Sequence, residues 1–264
     1  MGSRKVLISA VSVLSLGGAR AYAAMHATPE FESGKTRPVS IAFLPPHVDV
    51  IKRKIVKSEQ EVQESVDFAP YLAASLKKEF AAQGYQVTVL SAEQVNADPA
   101  LQELVVDADR RYTELLKEVQ VKLPRQIGKR RYQAGDEMRL LAAKLGVDAI
   151  GFADMQIVAA AKGASAVALL TGIGAAGSAT MLSISVIDGT SANIEAYFVP
   201  PALRRGSMAG YDAIMADPEG KIGQITELSL RDLPAADPSA RAVKPASGQD
   251  KDVVSDVESL LKKP

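Results

Sequence analysis

Few residues of this chain invite a chemical reading. Gly172, Gly174 and Gly177, in the stretch T-G-I-G-A-A-G, have the G-x-G-x-x-G spacing of a dinucleotide-binding turn. Such a turn needs a strand ending at the first glycine and a helix opening near the third, whose N-terminus holds the pyrophosphate. Here Gly177 leads into S-A-T-M-L-S-I-S-V-I-D-G, where Leu182, Ile184 and Val186 alternate with serine from Leu182 onward. That is strand periodicity, and the Asp188-Gly189 turn comes too soon for a crossover helix. Glu195 lies near the distance of a ribose-gripping acid, but inside the returning strand. The pattern therefore predicts no nucleotide site, and no other cofactor is expected.

The remaining candidates are isolated. The chain has no cysteine and two histidines, which excludes thiolate chemistry, iron–sulfur clusters, cysteine zinc sites and disulfides, and leaves little room for a histidine-rich metal centre. His26 falls in a polar stretch near the start. His47 follows Pro45-Pro46 at the end of a strand, a place where α/β folds set functional loops, with Asp49 two residues on. Asp154 belongs to a strand, and Asp107 and Asp109 to a helix. Nothing in their spacing pairs them as acid and base. No nucleophile elbow, phosphate loop or metal-ligand spacing is present, so no catalytic or metal-binding residue is assigned.

The elements that must position these residues begin after an export signature. Arg4 and Lys5 precede an apolar run of about 14 residues, Val6 to Ala19, and then the A-x-A site Ala21-Tyr22-Ala23. Residues 1–23 read as a signal peptide removed after Ala23 or one residue later, which implies a periplasmic location. Residues 24–37 read as a flexible leader and 38–233 as one domain. Residues 234–250, rich in Pro, Ala, Ser and Asp, read as a linker. Residues 251–264 read as an amphipathic tail helix through Val253, Val254, Val257, Leu260 and Leu261.

Within the domain, V-S-I-A-F-L (39–44) is a strand stopped by two prolines, and residues 47–66 are a charged excursion. A helix is expected from Phe68 to Gln83, capped by Asp67, with Phe68, Leu72, Leu76 and Phe80 buried and Gly84 as the left-handed stop. Residues 85–90 form a strand. A long helix runs from Pro99 to Val121, capped by Asp98, and a short one over 135–145. Strands follow at 148–158, 180–187 and 192–199, the last two a hairpin about Asp188-Gly189, and a helix at 219–232. The order β-α-β-α-α-β-β-β-α predicts an α/β fold with a mixed sheet of about five strands.

Two surfaces are candidates for contact. No charged residue occurs from Gly163 to Ile187, and Val167, Leu169, Leu170 and Ile173 form the most apolar part of a glycine-rich segment between two strands. It is either a buried cover for the sheet or a surface for a partner or membrane. Lys122, Arg125, Lys129, Arg130 and Arg131 occur without an acid among them. They are either a solvated face or a patch for anionic headgroups or an acidic partner. Lysine plus arginine balances aspartate plus glutamate at 31 each, and aromatics are 5%, so nucleic acid is not an expected partner.

P-V-S-I-A-F-L-P-P (38–46), A-P-Y-L-A-A-S-L-K-K-E-F-A-A-Q-G-Y-Q-V-T-V-L (69–90), E-M-R-L-L-A-A-K-L-G-V-D-A-I-G-F-A-D-M-Q (137–156) and I-T-E-L-S-L-R-D-L-P (225–234) together resemble a bacterial envelope domain. It is the α/β domain found in CsgG-like and LpoB-like proteins, the TolB N-terminal domain and periplasmic lipoproteins of unknown function. The resemblance implies a non-catalytic accessory protein of the cell envelope, acting through protein–protein or membrane-surface contacts, with another envelope protein or a second copy as partner. It brings no catalytic residues. The chain lacks the lipid-bearing cysteine of such relatives. Its one short hairpin carries Glu195, so no pore is expected. Two other readings stay open: a small-ligand binder or enzyme using the loop after the first strand, and a self-assembling secretion subunit.

Overall fold

The computed structural model describes residues 24–53, 58–60, 62–119, 126–129, 131–159, 179–199 and 211–236. The strands are β1 (Ala24–Ala27), β2 (Ser40–Phe43), β3 (His47–Arg53), β4 (Ser58–Gln60), β5 (Gln86–Val89), β6 (Ala149–Ala159), β7 (Ala179–Asp188) and β8 (Ile194–Val199). The helices are α1 (Pro29–Glu32), α2 (Val62–Ala82), α3 (Ala92–Asn96), α4 (Pro99–Val119), α5 (Asp136–Leu145), α6 (Tyr211–Ala216) and α7 (Pro218–Ser229). All lie in or against one mixed sheet of order β1-β8-β7-β6-β2-β5, with β3 on β6 and β4 on β3. The chain is an α/β protein, and the expected strands are present as β2, β5, β6, β7 and β8.

Strand β6 organises the sheet. It pairs antiparallel with β7 along one edge and parallel with β2, then β3, along the other. Side chains alternate across it, as period-two geometry requires. Ala153, Met155 and Ile157 enter a core under α2 and α7, with Phe43, Leu72, Leu76, Phe80, Ile184 and Phe198. Ile150 and Phe152 enter a second core under α4 and α5, with Tyr112, Met138, Leu141 and Tyr197. The expected stripe on α2 is fully realised, and Phe80 meets Phe43, Tyr85 and Phe198 edge-on at 5.1, 5.5 and 6.4 Å. Gly84 and Gly146 end their helices with φ of 85° and 65°, the left-handed stop expected at Gly84. Asp98 accepts from the Ala100 and Leu101 amides and caps α4.

Several expectations are corrected. Residues 24–37 are no flexible leader. Ala24–Ala27 pair antiparallel with β8, Phe31 is completely buried, and the Thr28 and Thr36 hydroxyls donate to the buried Glu195 carboxylate at 2.5 and 2.7 Å. Polar composition concealed the two hydroxyls and the one aromatic that fasten the segment. The stretch 47–66 is no excursion: it contains β3, β4 and the first turns of α2. That helix opens at Val62, not Phe68, which places Pro70 inside it. Residues 234–236 also pack rather than start a linker. Pro234 and Ala235 accept from Tyr85 and Arg37, and the Ala236 amide donates to Gln83. The hairpin turn is longer than expected. Asp188 Oδ1 accepts from the Thr190 and Ser191 amides, Ala192 adopts φ 57°, and β8 starts only at Ile194.

Candidate functional site

The site is built by the break at Pro45-Pro46. Phe43 pairs with Gly151 and His47 with Asp154, so residues 44–46 lie opposite only 152–153. The extra residue makes a bulge. Leu44 donates the last ladder bond, 3.0 Å to Gly151 O, before two residues that have no amide hydrogen. The chain then resumes pairing on β6 as β3. Beside it, β5 ends at Val89, and Leu90 donates to Phe43 O at 2.9 Å. Ser91 turns the chain into α3 through a capping box with Gln94. The two parallel strands β2 and β5 thus end together, and their exits diverge, the arrangement in which open α/β sheets hold ligands.

The early turns of α2 close the other side. Ser65, Ala69 and Ala73 recur every fourth residue, next to the buried stripe of Phe68, Leu72 and Leu76. Small side chains there leave space that the larger stripe fills elsewhere. The result is a cleft of about 600 Å³ between Pro45-Pro46, α2 and the Val89–Glu93 segment. Its walls are prolines, alanines, valines and Leu90. Ser65 and Ser91 are committed, accepting from the Val50 and Gln94 amides. The ionisable residues of the lining are His47 and Glu93. The Glu93 carboxyl lies below its usual range because the Ser91 hydroxyl and its own backbone amide bond it. Val66, 62% exposed, sits on the rim.

His47 links the cleft to the opposite face of the sheet. Its Nε2 lies 3.6 Å from Asp49 and its Nδ1 3.9 Å from Asp154. Burial pushes the Asp154 carboxyl up to about 6 despite the attraction of His47, and Asp109 and Asp49 push it further in the same direction. One Asp154 oxygen, Oδ2, is enclosed without a hydrogen-bond partner. Behind it, Tyr112 stacks on Phe152 at 4.0 Å and shares a 2.6 Å hydrogen bond with Ser185. Burial raises the Tyr112 and Tyr197 hydroxyls above their ordinary range. Asp154 and Asp109, unpaired in sequence, therefore share one environment with His47. Among the described residues, no group of three or more histidine, aspartate or glutamate side chains is arranged to hold a metal ion.

The residues proposed for contact fare differently. Val167, Leu169, Leu170 and Ile173 lie outside the described residues, as do Arg125 and Arg130. Lys129 is exposed in a turn. Arg131 is exposed but ion-paired with Glu30, whose carboxyl it holds below the usual range. The glycine spacing at 172–177 also falls outside, but β7 runs extended from Ala179, where a nucleotide turn needs a helix. Sequence reasoning missed Ser65, Ala69, Ala73 and Ser91. The fourfold spacing of small residues beside a large apolar stripe was the available signal.

No family model matches the chain, and no curated protein matches it. Among solved structures, a dodecamer of a PelC variant from Paraburkholderia phytofirmans is similar at 8% identity. The similarity covers 78% of this chain and 96% of that chain, with a TM-score of 0.33. A likeness at that score carries no inference about function.

Proposed function

We propose that this protein is a non-catalytic accessory protein of the cell envelope, exported to the periplasm, that holds an apolar segment of a partner protein in the cleft beside Pro45-Pro46. The observation that carries the reading is the cleft's wall. It offers about 600 Å³ lined by proline, alanine, valine and leucine, its two serines are engaged by backbone amides, and its two ionisable residues are His47 and Glu93. A concavity of this size with so apolar a wall can take up the apolar side chains of a bound segment. The export signature and the resemblance of residues 38–234 to envelope domains supply the setting.

Ala73→Trp fills the cleft. Used as bait beside the parent in periplasmic extract, the variant is expected to lose a partner that the parent retains. Identical captured sets would sink the reading. Recovery of the chain by osmotic shock with Ala24 or Met25 at its N-terminus tests the compartment.

A second reading, a small-ligand binder or enzyme at the same loop, is favoured by His47 standing between Asp49 and Asp154. A thermal shift with a metabolite that disappears in His47→Ala supports it.

A further inference from the structure

We propose that the chain's own C-terminal segment, residues 251–264, is an occupant of the cleft, which makes the partner-binding surface self-covered. The inference rests on the cleft being the binding site.

Three observations converge on this segment. The first is reach. The described chain ends at Ala236, whose amide is bonded to Gln83 at the C-terminal end of α2. The cleft lies on the same helix at Ala69 and Ala73, about 15–21 Å away at 1.5 Å per residue. Residues 237–250 separate Ala236 from the segment, and a flexible chain of that length has a root-mean-square span of about 20 Å. A tether whose span matches the separation gives an effective concentration on the order of millimolar. Even weak intrinsic affinity then suffices for occupancy.

The second is shape. The segment reads K-D-V-V-S-D-V-E-S-L-L-K-K-P and lies outside the described residues. At helical spacing Val253, Val254, Val257, Leu260 and Leu261 fall on one stripe. Branched aliphatic side chains are what a cleft walled by Ala69, Ala73, Val89 and Leu90 accepts. Val66 on the rim gives the stripe a further apolar contact.

The third is charge. Among the described residues, the cleft lining contains Glu93 and no lysine or arginine. Lys262 and Lys263 follow directly on Leu260 and Leu261. With the leucines seated, either lysine can meet the Glu93 carboxylate, an attraction that salt weakens.

The test uses the full chain, the full chain with Leu260→Glu and Leu261→Glu, and a fluorescent synthetic peptide of residues 251–264. Removing an occupant present about 90% of the time frees the cleft about tenfold. The peptide should therefore bind the double variant about tenfold more tightly than the parent. Amide exchange over 65–73 and 89–92 should be faster in the double variant. Adding Ala73→Trp should abolish peptide binding; Val66→Arg, on the exposed rim, serves if the tryptophan unfolds the chain. Equal peptide binding by parent and double variant, lost in both on filling the cleft, overturns self-covering and leaves the cleft a binding site. Exchange protection that grows with protein concentration overturns it in favour of a second copy. If the peptide binds neither form, self-covering is overturned. The apolar dye 8-anilinonaphthalene-1-sulfonate then judges the cleft: dye binding lost in Ala73→Trp retains the site, and dye binding indifferent to that change removes it.

Discussion

Against α2 and α7 the sheet presents phenylalanine and aliphatic side chains. Against α4 and α5 it also presents tyrosine, serine and, at one end, a carboxylate. The first face gains stability from dry packing, concentrated where Phe80 meets three other rings. Where that packing thins into Ser65, Ala69 and Ala73, it leaves a cleft. The second face holds its buried polar groups in pairs, Tyr112 with Ser185 and Tyr197 with Ser183, until it reaches Asp154 and an oxygen without a partner. An apolar layer fails by opening space, and a polar layer fails by leaving a group unsatisfied. The candidate site lies where both happen, on either side of His47.

The contrast can be broken most severely at its apolar centre. Phe80→Ala removes the hub of the ring cluster and should cost about 3–5 kcal/mol, read as a lowered urea midpoint. Glu195→Ala leaves the Thr28 and Thr36 hydroxyls without their acceptor. It should cost about 1–3 kcal/mol and speed proteolysis across residues 24–37. Tyr112→Phe keeps the stack on Phe152 and deletes the bond to Ser185. It should cost about 1 kcal/mol, which would show that the polar face depends on its pairs less than the apolar face depends on Phe80.

The smallest effect sharpens the comparison through pH. Asp154 titrates near 6 in the folded chain against an ordinary 3.8. The folded state therefore holds that proton more tightly than the unfolded state does. Its stabilising contribution is complete below about pH 4 and is lost as pH rises through about 6. The side chain is 41% exposed, so solvent screening keeps the effect modest. In Asp154→Asn the dependence of the denaturation midpoint between pH 4 and 7 should flatten. An unchanged slope would mean that the carboxyl is not perturbed.

Much of the architecture was legible in the sequence. The stripe Phe68, Leu72, Leu76, Phe80 and the alternation Leu182, Ile184, Val186 are periodic and long enough to declare their faces. Strands β3 and β4 were not legible, because Lys52, Arg53 and Glu59 make short strands at the sheet margin read as a charged loop. Asp67 misled in the other direction: an aspartate suits a helix cap, yet α2 begins at Val62 and Asp67 lies inside it. Phe31 alone could not announce that a polar segment would be fastened down by Glu195, 167 residues after Thr28. The site was half legible. His47 after the paired prolines could be read from position, whereas Ser65, Ala69 and Ala73 matter through what they leave empty. Their effect depends on where α2 starts and on the register of β2 against β6.

The bond from Thr28 to Glu195 joins residues 167 apart in the chain. The first described strand thus finds its only described neighbour in β8, the last described strand of the chain. Closing so long a loop is slow compared with forming local hairpins and helices. The sheet margin must therefore stay incomplete until β8 is available, and a chain halted before it would retain an unpaired β1.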